Sequence, residues 1–369
     1  MKVKVGTLTP YYYYQDGTRT AYVRVGNESV ECNSQQLLSL VLKGTHMTWD
    51  SLPTQVDASK HSFIILANTF REQTHQEWND KYLESFGLIT SDGKLTNAGL
   101  LFVDNCTVFQ SRIFCTRWTG LYKDDTISSV EHRDNLVLLL KYGIDFIKNY
   151  TMSGWVKMPN YRLNLPDYSG RAIFEGLVNH LIHRDYTVMG GEVHIDIYDD
   201  RVEIANPGIF PLQITPETIK ESHESYPYNL KIAEALYKST YLESWGSGAK
   251  RIMDACREQG IEEPIWRCDG GFVIVTFKRP FYGLSYQEKK PAKKNLWGNV
   301  AQNVAQNVAQ NLDEKIIQII KSNPCIKRED IANQLFVTKK TIERHLKNLG
   351  IKWDGHPKTG KWILQDNNI

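Results

Sequence analysis

No apolar run in the 369 residues approaches the roughly 20 that a membrane helix requires, so no membrane-spanning helix is expected and no membrane partner. Met1-Lys2-Val3-Lys4 has neither an apolar core region nor a cleavage site, and no secretory signal is read there. Cysteine is sparse. The six residues (Cys32, Cys106, Cys115, Cys256, Cys268, Cys325) form no CxxC pair, and none stands at metal-ligand spacing from a histidine. A disulfide framework and a structural zinc site are therefore not expected, and reduced thiols in a cytoplasmic protein are.

What is present belongs to a globular chain of two to four domains: 41% hydrophobic and 23% charged residues over a length too great for one ordinary core. The net charge of +2 hides an asymmetry. From Gly283 onward there are 15 basic and 8 acidic residues, a net of +7, which leaves −5 on the remainder. A basic tail on an acidic body points to a polyanion partner for the tail.

Composition also marks the boundaries. Lys289-Lys290-Pro291-Ala292-Lys293-Lys294 is a charged breaker, and Asn299-Val300-Ala301-Gln302 then repeats twice more through Gln310. The breaker and the repeats have no large apolar side chain to bury, so 283–311 reads as a tether, with a transient helix on Val300, Val304 and Val308 as the alternative. Upstream, 1–44 reads as strands, with Thr20–Val25 alternating, and a helix near Asn33–Leu42. Residues 45–157 read as a mixed α/β region with helices at Trp78–Phe86 and Asn135–Lys148, and 158–282 carries the chemistry.

The tail, 312–369, has the pattern of a winged helix-turn-helix. Ile316, Ile317, Ile319 and Ile320 lie at helical spacing before the breaker Asn323-Pro324. A second helix over Lys327–Phe336 turns Ile331, Ala332 and Leu335 inward. A third, Lys339–Leu349, turns Ile342, Leu346 and Leu349 to the core and presents Lys339, Lys340, Thr341, Arg344, His345 and Lys347 outward. Cations and a hydroxyl on a helix of groove-fitting width are what double-stranded DNA requires. Trp353-Asp354-Gly355 and Gly360-Lys361-Trp362-Ile363 read as a wing with Lys361 at its basic tip. A three-helix bundle used for protein contacts would share this periodicity, and the basic outer face favours DNA. Gly355 to Lys361 also satisfies GxxxxGK, but Trp362 replaces the magnesium-binding hydroxyl and an apolar strand follows where a helix is needed, so it reads as a wing turn.

In the middle of the chain, Ile173, Leu177, Val178, Leu181 and Ile182 form the buried stripe of a helix on which Glu175 and Asn179, four apart, share one face. A carboxylate can polarise water, and an amide oxygen beside it can ligate Mg2+. His180 and His183 lack a third ligand at metal-site spacing, and no metal is assigned to them. A hairpin over Val193–Ala205 leads into the turn Asn206-Pro207-Gly208. Glycines at Gly246-Ser247-Gly248 open a helix whose N–H groups can approach phosphate.

Together the patterns ExxxNxxxHRDY (Glu175–Tyr186), DDRxEIxNPG (Asp199–Gly208) and GSGxxRI (Gly246–Ile252) closely resemble the RecG-C-terminal-like ATP-binding domain of the Schlafen/Alba-associated transcriptional regulators. That domain in turn resembles the Bergerat-fold (GHKL) ATPases of gyrase, heat-shock chaperones and histidine kinases. Leu95–Phe102 is similar to the family's middle region, and Tyr22–Gly26 to the end of its Alba-type nucleic-acid-binding domain, which implies that 1–44 is a remnant of a truncated domain. The implied fold class is α+β multidomain: a Bergerat-like α/β sandwich plus a C-terminal winged helix-turn-helix. The implied roles are Glu175 as general base, Asn179 as Mg2+ ligand, and Gly246, Ser247 and Gly248 as phosphate cradle; Arg184 is read as exposed or near phosphate, a candidate nucleotide contact. Asn206 and Gly208 stand at the adenine-contacting turn, where the superfamily has Asp rather than Asn. Tyr226-Pro227-Tyr228-Asn229 lacks the Arg the family commonly has before this Asn.

The resulting expectation is a cytoplasmic transcriptional regulator that binds ATP with Mg2+, hydrolyses it slowly at most, and couples nucleotide state to binding of double-stranded DNA. A homodimer on palindromic half-sites fits a winged helix. The alternatives are a nucleic-acid-dependent ATPase in DNA repair or defence, and a catalytically inactive DNA-binding module.

Overall fold

The computed structural model describes residues 9–157, 162–210, 214–221, 227–239, 248–280, 282–283, 312–335, 339–356 and 360–363, with side chains at all of these except 152–157, 162–165 and 333. The chain divides into two compact units, 1–286 and 287–369. The tether read at 283–311 lies almost wholly outside the described residues.

The first unit begins with an antiparallel sheet of β1 (Tyr12–Gln15), β2 (Thr18–Val25) and β3 (Glu28–Glu31), paired in that order. Asp16 and Gly17, at φ of 50° and 79°, make the tight turn between the first two strands, a backbone shape that Asp-Gly permits. Helix α1 (Ser34–Thr45) starts at a capping box, in which Asn33 Oδ1 accepts from the Gln36 N–H at 2.8 Å and Gln36 Oε1 from the Asn33 N–H at 3.1 Å.

Strand β4 (Pro53–Asp57) pairs with β5 (Lys94–Thr96) across α2 (Ile64–Thr74) and α3 (Lys81–Ser85), and α4 (Asn97–Phe102) follows directly. The helix expected over Trp78–Phe86 is shorter than its apolar spacing implies. Asn79 Oδ1 accepts from the Lys81 N–H at 3.0 Å and Asp80 Oδ1 from the Trp78 indole at 3.0 Å, and such local bonds compete with the helical ladder.

The main sheet has the order β12-β13-β11-β10-β6-β7, built from β6 (Arg112–Trp118), β7 (Thr126–Arg133), β10 (Val193–Ile197), β11 (Arg201–Pro207), β12 (Ile265–Asp269) and β13 (Phe272–Lys278). All neighbours are antiparallel except β10 and β6. One face, with Ile113, Cys115, Ile195, Ile204, Val275 and Phe277, is sealed in the core. Helices α5 (Leu136–Thr151) and α6 (Gly170–Ile182) cover it, separated in sequence by the hairpin β8 (Met152–Lys157) and β9 (Arg162–Pro166). Gly143 permits the close approach of α5, since a Cβ there would stand 2.6 Å from a Leu177 methyl and 2.7 Å from one of Ile195. The opposite face is polar and ion-paired. Arg267 grips Glu203 with two bonds of 3.0 and 3.1 Å, while Lys123 and the Trp118 indole each hold Asp196 at 2.7 Å. A sheet of mostly antiparallel strands tolerates this division into one core face and one polar face.

This sheet corrects the expected boundary at 157/158. Strands β6 and β7 come from the segment read as a separate middle region, yet they extend the sheet of the segment that follows. A second link is Asp50, fully buried, whose Oδ2 accepts from the N–H groups of Lys231 and Ile232 at 2.7 and 2.9 Å and so caps α7 (Leu230–Ser239) from far upstream. Helix α8 (Gly248–Gln259) completes the layer over α6.

The second unit packs α9 (312–322), α10 (Arg328–Gln334) and α11 (Lys339–Asn348) around Ile316, Ile320, Ile331, Ala332, Ile342 and Leu346. Strands β14 (Lys352–Asp354) and β15 (Lys361–Ile363) form the wing, with Trp353 and Trp362 directly paired and their rings edge to face at 5.0 Å. The Trp362 indole donates to the Ile326 carbonyl at 2.8 Å, fastening the wing to the helices. The decoy GxxxxGK therefore ends in a strand at Lys361, as a wing requires. The mixed α and β content, a sheet-rich domain and a winged helix-turn-helix agree with the expected class at that level.

Candidate nucleotide site and nucleic-acid interface

Helix α6 begins at Ser169, whose hydroxyl accepts from the Ala172 N–H, and its apolar stripe of Ile173, Leu177, Val178 and Leu181 is buried. That burial fixes the rotation of the helix and aims Glu175 and Asn179 toward α8. A Cβ added to Gly248, the first residue of α8, would lie 2.9 Å from Asn179 Nδ2 and 3.3 Å from Oδ1. Two motifs distant in sequence thus meet at a helix N-terminus, where peptide N–H groups and the helix dipole favour an anion. Gly246 and Ser247 lie outside the described residues.

Glu175 is buried and forms an ion pair with Arg251 of α8 through Oε1. Its second oxygen, Oε2, is buried with no partner among the described residues. Burial pushes the Glu175 carboxyl above its ordinary value, and Arg251 and then Arg171 oppose the rise. An orphaned buried carboxylate oxygen, a half-buried amide and a glycine packed against that amide suit a phosphate-and-Mg2+ group, with Asn179 Oδ1 as the hard oxygen donor. Among the described residues no three His, Cys, Asp or Glu side chains converge on a metal position.

One expected site residue, Arg184, is committed to the fold. Arg184 is only 1% exposed, and its guanidinium donates to the carbonyls of Gln110 and Gly191 while lying over the Tyr186 ring at 4.8 Å. It is a structural rivet rather than a phosphate ligand, because both amino groups are spent on backbone. Asn206 is also 1% exposed, with Nδ2 donating to Pro207 O at 2.8 Å and His183 O at 3.4 Å. Those bonds, with the Asp185 N–H donating to Pro207 O at 2.8 Å, lock the HRD and NPG segments back to back, and they engage the Asn206 amide nitrogen rather than its carbonyl oxygen. Gly208 holds φ of 146°, and its N–H donates to Gly271 O at 2.9 Å. Asn229, noted only for its unusual neighbours, donates to Ile182 O and Arg184 O at 2.8 Å each and anchors the same loop. The signal for Arg251 was its place in GSGxxRI, and nothing local to Asn229 or Asp50 marks their roles.

His180 sits one turn from Gly176 on α6 and is enclosed, with Nδ1 2.6 Å from Gly176 O. Burial drives its pKa down from 6.5 to about 4. The unfolded chain therefore binds this proton more readily than the folded one, and folding loses stability as pH falls from about 6.5 to about 4. Roughly 3 kcal/mol is at stake over that window. Denaturant unfolding at pH 7 and pH 4.5 should show this loss in the wild type, and His180→Leu should flatten it; an equal pH slope in both proteins would refute the assignment.

On the second unit, Lys340, Arg344 and Lys347 are exposed on α11, and Lys361 is exposed on β15. Thr341 is half-buried. Lys339 is exposed but pairs with Glu329 at 2.7 Å, and the pair lowers the Glu329 carboxyl and raises the Lys339 ammonium. His345 corrects the sequence reading: it is buried, with Nδ1 2.6 Å from Asp313 Oδ1, and ties α11 to the first turn of α9. A three-residue step from Ile342 places it on the buried side of α11, next to Leu346, rather than on the outer face.

Residues 190–277 match the family described as "Putative ATP-dependent DNA helicase recG C-terminal". Residues 310–350 match the family described as "Winged helix-turn-helix DNA-binding". The first match starts after α6, so Glu175 and Asn179 lie outside it and Gly248 and Arg251 inside. Among solved structures, the DIP2311 protein from Corynebacterium diphtheriae shares the fold at a TM-score of 0.54 and 18% identity, covering 96% of this chain and 71% of that one. No curated protein matches the chain. The chain thus carries a RecG-C-terminal-like ATPase-type domain and a winged helix-turn-helix.

Proposed function

We propose that this protein is an ATP-binding, DNA-binding transcriptional regulator of the Bergerat (GHKL-like) type, in which nucleotide state modulates the DNA affinity of the winged tail. The observation that carries the reading is the meeting of Asn179 with Gly248 at the start of α8, with Glu175 one turn away on α6. Asn179 would hold Mg2+, and the α8 N-terminus would receive phosphate. Bound Mg2+ would supply charge neutralisation on the phosphates. Glu175 would accept the proton of an attacking water during slow turnover. The Asn206–Gly208 turn would line the adenine side of the site, with the Asn206 carbonyl oxygen as the acceptor.

Calorimetric titration of the full chain with ATP, with and without Mg2+, tests this. Binding should depend on Mg2+, and Asn179→Ala should weaken it by about 2–3 kcal/mol, roughly 30- to 150-fold in Kd. A folded wild type that takes up no ATP would remove the nucleotide half of the proposal. DNA affinity that is the same without nucleotide, with ADP and with an ATP analogue would remove the coupling.

A further inference from the structure

Glu175 poses a chemical problem that α8 answers. A carboxyl only 2% exposed favours its neutral form, and a neutral carboxylic acid cannot take a proton from water. Arg251 is fixed beside it on α8 and holds one oxygen only, Oε1, while Oε2 is left without a partner among the described residues. Among the described residues, the other titratable groups that face it are Arg171 on its own helix and Tyr237 on α7, whose phenol is pushed up by burial and by the carboxylate.

We infer that Arg251 is the positioning residue for the buried base: it keeps Glu175 ionised, pins Oε1, and leaves Oε2 as the oxygen that receives the proton. The role rests on the nucleotide reading given above. In the reaction it implies, the water oxygen bonds to the γ-phosphorus and the β–γ bridging P–O bond breaks. The electron pair of that bond leaves with ADP, and the water proton passes to Glu175 Oε2 and then to solvent. Nothing is oxidised or reduced. Arg251 touches neither water nor phosphate in this sequence of events; it acts through the carboxylate. An opposite charge this close lowers a carboxyl by about 1–3 units, so its loss would cut the ionised fraction of Glu175 by about 10- to 1000-fold on the acid limb.

Two readouts on the full chain decide the matter. The first needs no nucleotide. Infrared difference spectra of each protein against its own Glu175→Gln partner follow the Glu175 carboxyl band through a pH titration. In Arg251→Gln the carboxyl should ionise at least one pH unit higher than in the wild type, and Arg251→Lys should restore most of the difference. The second is Mg2+-ATP hydrolysis against pH, with Kd from calorimetry. The acid limb of the Arg251→Gln profile should move up by the same interval, with kcat down at least about tenfold below it and Kd changed less than about threefold. An unmoved carboxyl band, or an acid limb that stays in place, would overturn the inference. So would a Kd that weakens in step with kcat while the band stays put, which would make Arg251 a phosphate ligand. A wild type that binds ATP but does not hydrolyse it at all also overturns the role while sparing the binding site. A folded wild type that binds no ATP sinks the nucleotide reading and this role together.

Discussion

Arg184→Met should destabilise the N-terminal unit by about 3–5 kcal/mol and leave no separate defect in nucleotide affinity once the folded fraction is allowed for. The size follows from what the side chain does. Its two amino groups donate to Gln110 O, just before β6, and Gly191 O, just before β10, inside a 1%-exposed site. Burial lowers its pKa, with the Tyr186 phenol and Glu192 countering the shift. Methionine fills most of the stem volume but makes neither bond, so two buried carbonyls lose their partners at about 1–3 kcal/mol each. Releasing a desolvated guanidinium offsets part of that loss, because a buried cation is itself costly. The ring contact with Tyr186 is forfeited as well. Urea unfolding measures the outcome: the midpoint should fall with the m-value unchanged. A variant of wild-type stability that fails to bind ATP would instead restore Arg184 to the phosphate side.

The same residue shows where sequence reading reached its limit. Charged side chains are rarely enclosed without a charged partner, so an arginine in HRDY reads as exposed or ligand-facing. Backbone carbonyls from two distant segments supply the partners here, and backbone leaves no trace in residue identity. His345 fails for a related reason: a polar residue at an interior helical position is read outward unless its partner, Asp313, is known. By contrast, α6, α8, β10, β11 and the three tail helices were legible, because their periodicity is local and their apolar stripes match the buried residues. The pairing of β6 with β10 was not: a parallel register between strands eighty positions apart has no local signature, and the domain boundary drawn between them was lost with it. Glu175 and Asn179 were visible from their spacing alone, whereas the contact that makes Glu175 usable comes from packing α8 on α6.

Replacing Lys340, Arg344 and Lys347 together by alanine should weaken binding of duplex DNA by roughly 100- to 500-fold at about 0.1 M salt and reduce the salt dependence of binding. All three are exposed on α11, and alanine is the best helix former, so the fold of the second unit should survive. Each phosphate contact removed takes about 0.9 from the slope of log K against log salt, so three contacts take up to about 2.7. Glu343 is exposed on the same helix and repels phosphate, which limits how tightly this face binds before specific base contacts are made. If one of the three cations instead reads a base edge, the loss becomes sequence-dependent and the slope falls by nearer 2. His345→Ala separates face from core. Breaking its contact with Asp313 should lower the stability of the unit, while the folded fraction keeps the wild-type salt slope. Fluorescence anisotropy over a salt series reads every case. A triple variant with unchanged affinity and slope would mean that the basic face of α11 does not meet nucleic acid, and the winged module would then be one built for protein contacts.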